Sequence, residues 1–214
     1  MLDIRRFAVN PFQENCYIVS DSTKEAVIID CGAFYEEERR AVVGYIKDNG
    51  LVPKRLLATH GHIDHNFGNN TVFDTFGLKP EVSGSDAALM DRLAEQAMVL
   101  CQISLDYKMP PVGRYLEENE EVAFGSHTLA VLPTPGHSPG SVLFWCKEEG
   151  VAFSGDTLFC GSIGRTDFWQ GSYSDIMSSL ERLKAQLPAD TAILPGHGPQ
   201  TTMAAELADN PYLK

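Results

Sequence analysis

Thr59-His60-Gly61-His62-Ile63-Asp64-His65 is the stretch that most narrows what this chain can fold into. Three imidazoles and a carboxylate fall within six residues, directly after the apolar, strand-like run Leu56-Leu57-Ala58. These are the donors that zinc and iron take at neutral pH. Gly61 lets the backbone bend, so that side chains of one loop converge instead of alternating outward. A purification tag would be terminal and continuous; this run is internal, interrupted in a fixed way and joined to a buried-type strand. The chain has only 6 histidines, so three in one hexapeptide is concentrated usage. The loop predicts a metal site, and a chain built round such a loop needs rigid strands to aim it.

The 214 residues suffice for one substantial core and are too few for two, which predicts a single domain over residues 1–214. With 17 basic against 29 acidic residues the formal charge is −12, which argues against nucleic acid or an anionic membrane as a partner. Met1 to Asn10 lacks the apolar core of a signal peptide, and no run approaches the roughly 18 apolar residues of a membrane span. The five cysteines, Cys16, Cys31, Cys101, Cys146 and Cys160, are odd in number and never spaced Cys-x-x-Cys, as free thiols in a reducing compartment are. A cytoplasmic location is the expectation.

Along the chain, Phe7 to Ile18 reads as two β segments joined through Asn10-Pro11-Phe12-Gln13-Glu14, and Ala26 to Ile29 as a strand buried on both faces. Tyr35 to Asn49 reads as a helix with Tyr35, Val42 and Ile46 toward the core. A short helix ending near Gly77 and a strand over Lys79 to Val82 follow. Ser85 is placed to cap a helix whose stripe is Leu89, Leu93, Ala97 and Leu100. Residues 101 to 115 read as a loop excursion, a plain connection or a lid. Thr128 to Leu132, Ser141 to Cys146 and Val151 to Phe153 read as strands, and Gly125-Ser126-His127-Thr128 as an exposed turn. Ser172 with Asp175 resembles a capping box opening a helix at Tyr173, with Ile176, Leu180, Leu183 and Leu187 on one side. Ala192 to Leu194 is a last strand, and Thr201 to Ala208 a closing helix.

A metal pair needs more donors than one loop holds, and each further one is expected at the carboxyl end of a strand. His137 lies in Thr134-Pro135-Gly136-His137-Ser138-Pro139-Gly140, Asp156 in Ser154-Gly155-Asp156-Thr157, and His197 in Pro195-Gly196-His197-Gly198. Each sits beside glycine, which permits close backbone approach.

Asp30-Cys31-Gly32, His60-x-His62-x-Asp64-His65, His137, Asp156 and His197 together resemble the five motifs of the metallo-β-lactamase superfamily, in order and across nearly the whole chain. The resemblance implies an α/β fold, a four-layer αβ/βα sandwich with the metals in a cleft along one sheet edge. It also implies a ligand set: His60, His62 and His137 on one divalent ion, Asp64, His65 and His197 on another, and Asp156 bridging, with zinc the expected metal and iron or manganese the alternatives. Asp30 would support the metal loop by hydrogen bonding. Asp64 and Asp156 would serve catalysis through a hydroxide bridging ions about 3.5 to 4 Å apart, whose water pKa falls toward about 7. True β-lactamases lack the Asp64-His65 pairing and bridging Asp156 in this form, which disfavours antibiotic hydrolysis.

Residues 59 to 69 and 10 to 17 look like the glyoxalase II type, and more closely its short bacterial relatives. That likeness implies a hydroxyacylglutathione thioester such as S-lactoylglutathione as the small-molecule substrate. Only 17 residues follow His197, so the carboxy-terminal helical domain that binds glutathione in longer members is not expected. Arg165, in Gly164-Arg165-Thr166-Asp167-Phe168, sits where the family places a glutathione-binding loop and is the candidate substrate anchor. Persulfide dioxygenases resemble the same motifs and would hold one iron on His60, His137 and Asp156. A lactonase and a non-enzymatic metal-binding module are the remaining alternatives.

Overall fold

Alternation within the strands decides the layering. In the computed structural model, which describes residues 1–214, β1 (Asp3–Val9), β2 (Glu14–Ser20), β3 (Glu25–Ile29), β4 (Val52–Leu57), β5 (Pro80–Ser83) and β6 (Arg114–Leu116) form a six-stranded sheet in sequential order. A second six-stranded sheet holds β7 (Glu121–Phe124), β8 (His127–Pro133), β9 (Val142–Cys146), β10 (Val151–Gly155), β13 (Ala192–Pro195) and β14 (Thr201–Thr202). A small hairpin of β11 (Leu158–Phe159) and β12 (Ser162–Ile163) stands apart. Tyr17, Val19, Val27, Ile29 and Leu57 point from the first sheet onto Leu129, Val131, Phe144 and Phe153 of the second, making the central core. Their neighbours Cys16, Ile18, Ala26, Ile28 and Leu56 point the other way, as a period of two requires.

Those outward residues are covered by α1 (Glu36–Asp48), through Val42 and Ile46, and by α2 (Asn69–Phe76), through Val72. The second sheet is covered by α5 (Tyr173–Gln186), through Leu180 and Leu183, and by α6 (Met203–Asp209), through Met203. The layers therefore run helix, sheet, sheet, helix, as expected. No helix is long and apolar enough to cross a membrane.

Start signals act locally. Glu38 accepts from the backbone N–H groups of Phe34 and Tyr35 and opens α1, and Ser172 Oγ accepts from Asp175 N–H at 3.3 Å to open α5. Tyr35 itself, expected in the core, lies at the helix start and is 44% exposed. The single helix expected from Leu89 to Leu100 is two pieces, α3 (Ala87–Met90) and α4 (Leu93–Cys101). The carbonyl of Leu89 accepts from Arg92 N–H and from the Gln96 side-chain amide in place of the regular helical donor. Ser83, not Ser85, supplies the cap there. The buried stripe ends with Ala97, leaving Leu100 at the surface.

The excursion at 101 to 115 is tethered: Ile103, Leu105, Met109 and Val112 pack on the core beside α4. The Tyr107 hydroxyl donates to Phe67 O at 3.0 Å, and Arg114 and Tyr115 already belong to β6, parallel to β5. His127 is no exposed turn residue. It begins β8, is 8% exposed, and its ring nitrogens lie 3.0 Å from Asp21 Oδ2 and 3.0 Å from Glu149 Oε1.

Candidate metal centre

The carboxyl ends of strands from both sheets meet at one edge of the sandwich. β4 runs into His60, His62, Asp64 and His65, the loop after β8 carries His137, β10 ends beside Asp156, and β13 ends beside His197. All seven side chains converge. The nearest donor atoms of His60, His62 and His137 lie within 4.8 Å of one another, as do those of Asp64, His65 and His197. Asp156 lies between the two groups, with Oδ1 3.3 Å from His65 Nε2 and Oδ2 3.5 Å from His137 Nε2 and 3.6 Å from His197 Nε2.

The outer nitrogens are held so that the inner ones are presented. His137 Nδ1 lies 2.7 Å from the Arg165 carbonyl and His197 Nδ1 3.0 Å from the Phe12 carbonyl. A carbonyl only accepts, so in both rings Nδ1 carries the proton and Nε2 offers a lone pair. His65 Nδ1 is 3.0 Å from Asp30 Oδ2 and His60 Nδ1 is 3.0 Å from Thr59 Oγ1. His62 alone turns Nδ1 inward, 2.8 Å from His137 Nε2.

Three carboxyls away from the centre hold the loops in place. Asp30 accepts from Thr59 N–H and Thr59 Oγ1, both at 2.7 Å, and so clamps the start of the metal loop. Asp86 is fully buried and accepts from Gly61 N–H at 2.8 Å, Ser138 Oγ at 2.7 Å and Gly140 N–H at 2.6 Å. It thereby joins the His60 loop of one sheet to the His137 loop of the other. Glu14, also fully buried, accepts from Gly32 N–H at 3.1 Å and faces His65. Gln96 on α4 donates to Gly61 O and accepts from Ile63 N–H. Asp86, Glu14 and Gln96 escape a reading of the sequence, since each lies far along the chain from the loop it holds.

Two glycines are sterically required. A Cβ on Gly196 would run into Asp156 Oδ1 and the His65 ring, and one on Gly32 would meet the Asp64 carbonyl and the Glu14 carboxylate. Side chains there would push apart the donors that the strands bring together.

Burial and mutual charge set the protonation. Burial, helped by His65 and the other rings, drives the His60 pKa well below its usual value, and burial with His137 lowers His62 to about 3. At His65 burial acts in the same direction, but Asp156, Asp64 and Asp30 outweigh it and raise its pKa well above normal. His197 is raised as well, by Asp64 and Asp156 against burial. Asp156 and Asp64 are held low, against burial, chiefly by the charge of His65. The carboxylates here thus call for compensating positive charge.

His60 Nε2 and Asp156 Oδ1 are buried and have no hydrogen-bond partner. A buried polar atom left unpaired costs about 1 to 3 kcal/mol, which a cation would offset by taking both lone pairs. Five imidazole nitrogens and two carboxylates, with orphaned lone pairs aimed inward, fit a pair of divalent ions. Arg165 reaches the rim of the same cleft but is more than half exposed, and its guanidinium donates twice to Asp167 at 2.6 Å.

The chain matches the model of the metallo-beta-lactamase superfamily over residues 9–197. It is 37% identical to hydroxyacylglutathione hydrolase GloC of Haemophilus influenzae, covering 99% of this chain and 98% of that protein. The crystal structure of BLEG-1 B3 metallo-beta-lactamase superposes with a TM-score of 0.88 at 33% identity, over 99% of this chain and 100% of that one. That of TTHA1623 in a di-iron-bound form superposes with a TM-score of 0.86 at 34% identity, over 98% and 100%. Motif order, layering, convergent donors and full-length likeness agree: the chain belongs to the metallo-β-lactamase superfamily.

Proposed function

We propose that this protein is a metal-dependent hydrolase whose substrate is a thioester, with a hydroxyacylglutathione of the S-lactoylglutathione kind as the first candidate. His60, His62 and His137 would hold one divalent ion, and Asp64, His65 and His197 a second, with Asp156 between them. When bound, such a pair supplies Lewis acidity, polarising a carbonyl oxygen and lowering the pKa of water toward about 7.

The leaving group carries the thioester reading. Five of the seven donors, His62, Asp64, His137, Asp156 and His197, open on a cleft of about 520 Å³ whose other lining is apolar side chains, with Cys101, Ser162 and Arg165 as the remaining polar groups. None of those three is an acid near neutrality: burial pushes the Cys101 thiol up, and Asp167 holds the Arg165 guanidinium charged. A leaving group must therefore depart as an anion. A thiol with a pKa near 8.5 does so readily, whereas an amine requires a proton. At the rim, Arg165 would take a substrate carboxylate in exchange for Asp167. The name of the Haemophilus influenzae relative, hydroxyacylglutathione hydrolase, supports the same choice.

Two other readings have support. The BLEG-1 structure is described as a β-lactamase, which favours lactam hydrolysis. The di-iron-bound neighbour makes iron a candidate beside zinc, and one iron on His60, His137 and Asp156 would suit a persulfide dioxygenase. The test is a parallel assay of S-lactoylglutathione hydrolysis, glutathione persulfide oxidation and β-lactam opening on protein whose metal content has been counted. Thioester hydrolysis with two metals per chain is expected. Oxygen uptake on the persulfide with a single iron, or faster turnover of the lactam, would replace the proposal.

A further inference from the structure

Beside the metal cleft lies a second hollow of about 290 Å³, and the two share His62, Leu100 and Phe168 along their linings. Its walls are α4 on one side and the loop of Phe168 and Trp169 on the other. Phe168 sets its edge against the His62 ring at 5.4 Å, so the hollow opens onto the metal ligands themselves. Val99, Leu100 and Trp169 are 70%, 46% and 49% exposed, an unusual concentration of large apolar surface on one short helix and the loop facing it.

Gln96, Arg92 and Glu95, three of the polar groups of this hollow, are already paired. The Gln96 side chain uses its amide on Gly61 O and Leu89 O and its oxygen on Ile63 N–H. Arg92 and Glu95 pair with each other at 2.8 and 2.6 Å, and the Arg92 guanidinium lies 5.0 Å over the Trp169 ring, joining the two walls. The charges of Arg92 and Glu95 compensate each other and the Gln96 amide is fully used, which leaves the lining mainly apolar. The occupant that fits is apolar, and the size suits several methylenes or a single ring.

We infer that this hollow binds the acyl chain of the substrate, so that among thioesters, hydroxylated or not, the enzyme prefers those whose acyl group carries a longer apolar chain. The inference rests on the thioester reading above and adds the substrate class. Of the two ends of a thioester, the common thiol carriers are polar and charged while the acyl group is the apolar part. The acyl end therefore matches the Leu89, Val99, Leu100 and Trp169 side, and the thiol end matches the larger cleft where Arg165 stands. Such a chain would shield apolar surface now facing water, and each added methylene strengthens binding about fourfold.

The test is a series of acyl thioesters of N-acetylcysteamine, from acetyl to octanoyl, assayed on metal-replete enzyme with wild type, Val99→Asp and Trp169→Ala in parallel. For wild type, kcat/KM is expected to rise about fourfold per methylene, mostly through KM, until the hollow is full. In both variants that slope should fall below about twofold per methylene, with metal content and circular dichroism checking the fold. A flat wild-type profile with measurable hydrolysis would overturn the acyl pocket and leave the thioester reading standing. No hydrolysis at any chain length, with S-lactoylglutathione also left intact, would overturn both. A flat profile together with self-association that Val99→Asp abolishes would assign this face to a second copy of the chain instead.

Discussion

Two clusters in this molecule are built from histidine and carboxylates, and they differ in what they leave unpaired. Around His127 both ring nitrogens and both Asp21 oxygens have partners: Asp21 on one ring nitrogen, Glu149 on the other, Ser126 and Thr23 on Asp21, and the amino terminus on Glu149. In the centre formed by His60, His62, His65, His137 and His197, His60 Nε2 and Asp156 Oδ1 have none. Identical residue types thus make a closed hydrogen-bonded corner in one place and an open donor set in the other. Residue type marks a site less well than unsatisfied geometry does.

The contrast can be broken most strongly at the open cluster. His62→Ala should lower turnover on the order of 1,000-fold, about 4 kcal/mol of barrier, because one metal loses a ligand. The fold should survive, since His62 lies outside the packed strands; circular dichroism and metal counting would check this, and wholesale unfolding would contradict it. Asp86→Ala comes next. Removing an acceptor shared by Gly61, Ser138 and Gly140 strands buried donors and should cost about 3 kcal/mol, visible as a melting temperature lower by roughly 6 to 12 °C. Asp30→Ala should weaken metal binding by about 10- to 100-fold in a chelator competition, because His65 and Thr59 lose the group that aims them.

The smallest effect belongs to the closed corner, and its sign is opposite. Although burial acts to lower it, hydrogen bonds to Asp21 and Glu149 raise the His127 pKa above 6.5. A group raised on folding adds stability below its unfolded pKa and loses it as pH climbs through the folded one. Melting temperature should therefore slip by about 2 °C or less through that window above pH 6.5, and His127→Gln should flatten the slope. Metal affinity at the open cluster should instead strengthen as pH rises, since ligands bind deprotonated. Like-signed pH slopes for the two clusters would remove the distinction.

Much of the candidate site was legible because its first part is local. Four donors in six residues need no knowledge of the fold, and His137, Asp156 and His197 announced themselves by lying next to glycine at strand ends. The α5 stripe of Ile176, Leu180, Leu183 and Leu187 was equally plain and is buried throughout. What stayed hidden depends on distant partners. β7 is a short strand that pairs only once β8 is in place. Asp86 and Gln96 look like surface residues of a helix until the loops they hold, 25 and 35 positions back, are brought against them. His127 was misread because its two carboxylate partners lie 106 and 22 residues away.

The chain by itself determined the donor set, the alternation that sends Tyr17 and Val19 inward and Cys16 and Ile18 outward, and the helix starts at Tyr35 and Ser172, because spacing and short-range hydrogen bonding are written into neighbouring residues. Only the tertiary structure decided which polar side chains are buried as struts, where the helix after Ser83 breaks, and that Val99, Leu100 and Trp169 border a hollow opening on the candidate donor cluster at His62. Burial and pairing are properties of two surfaces meeting, and one stretch of sequence describes only its own side of the contact.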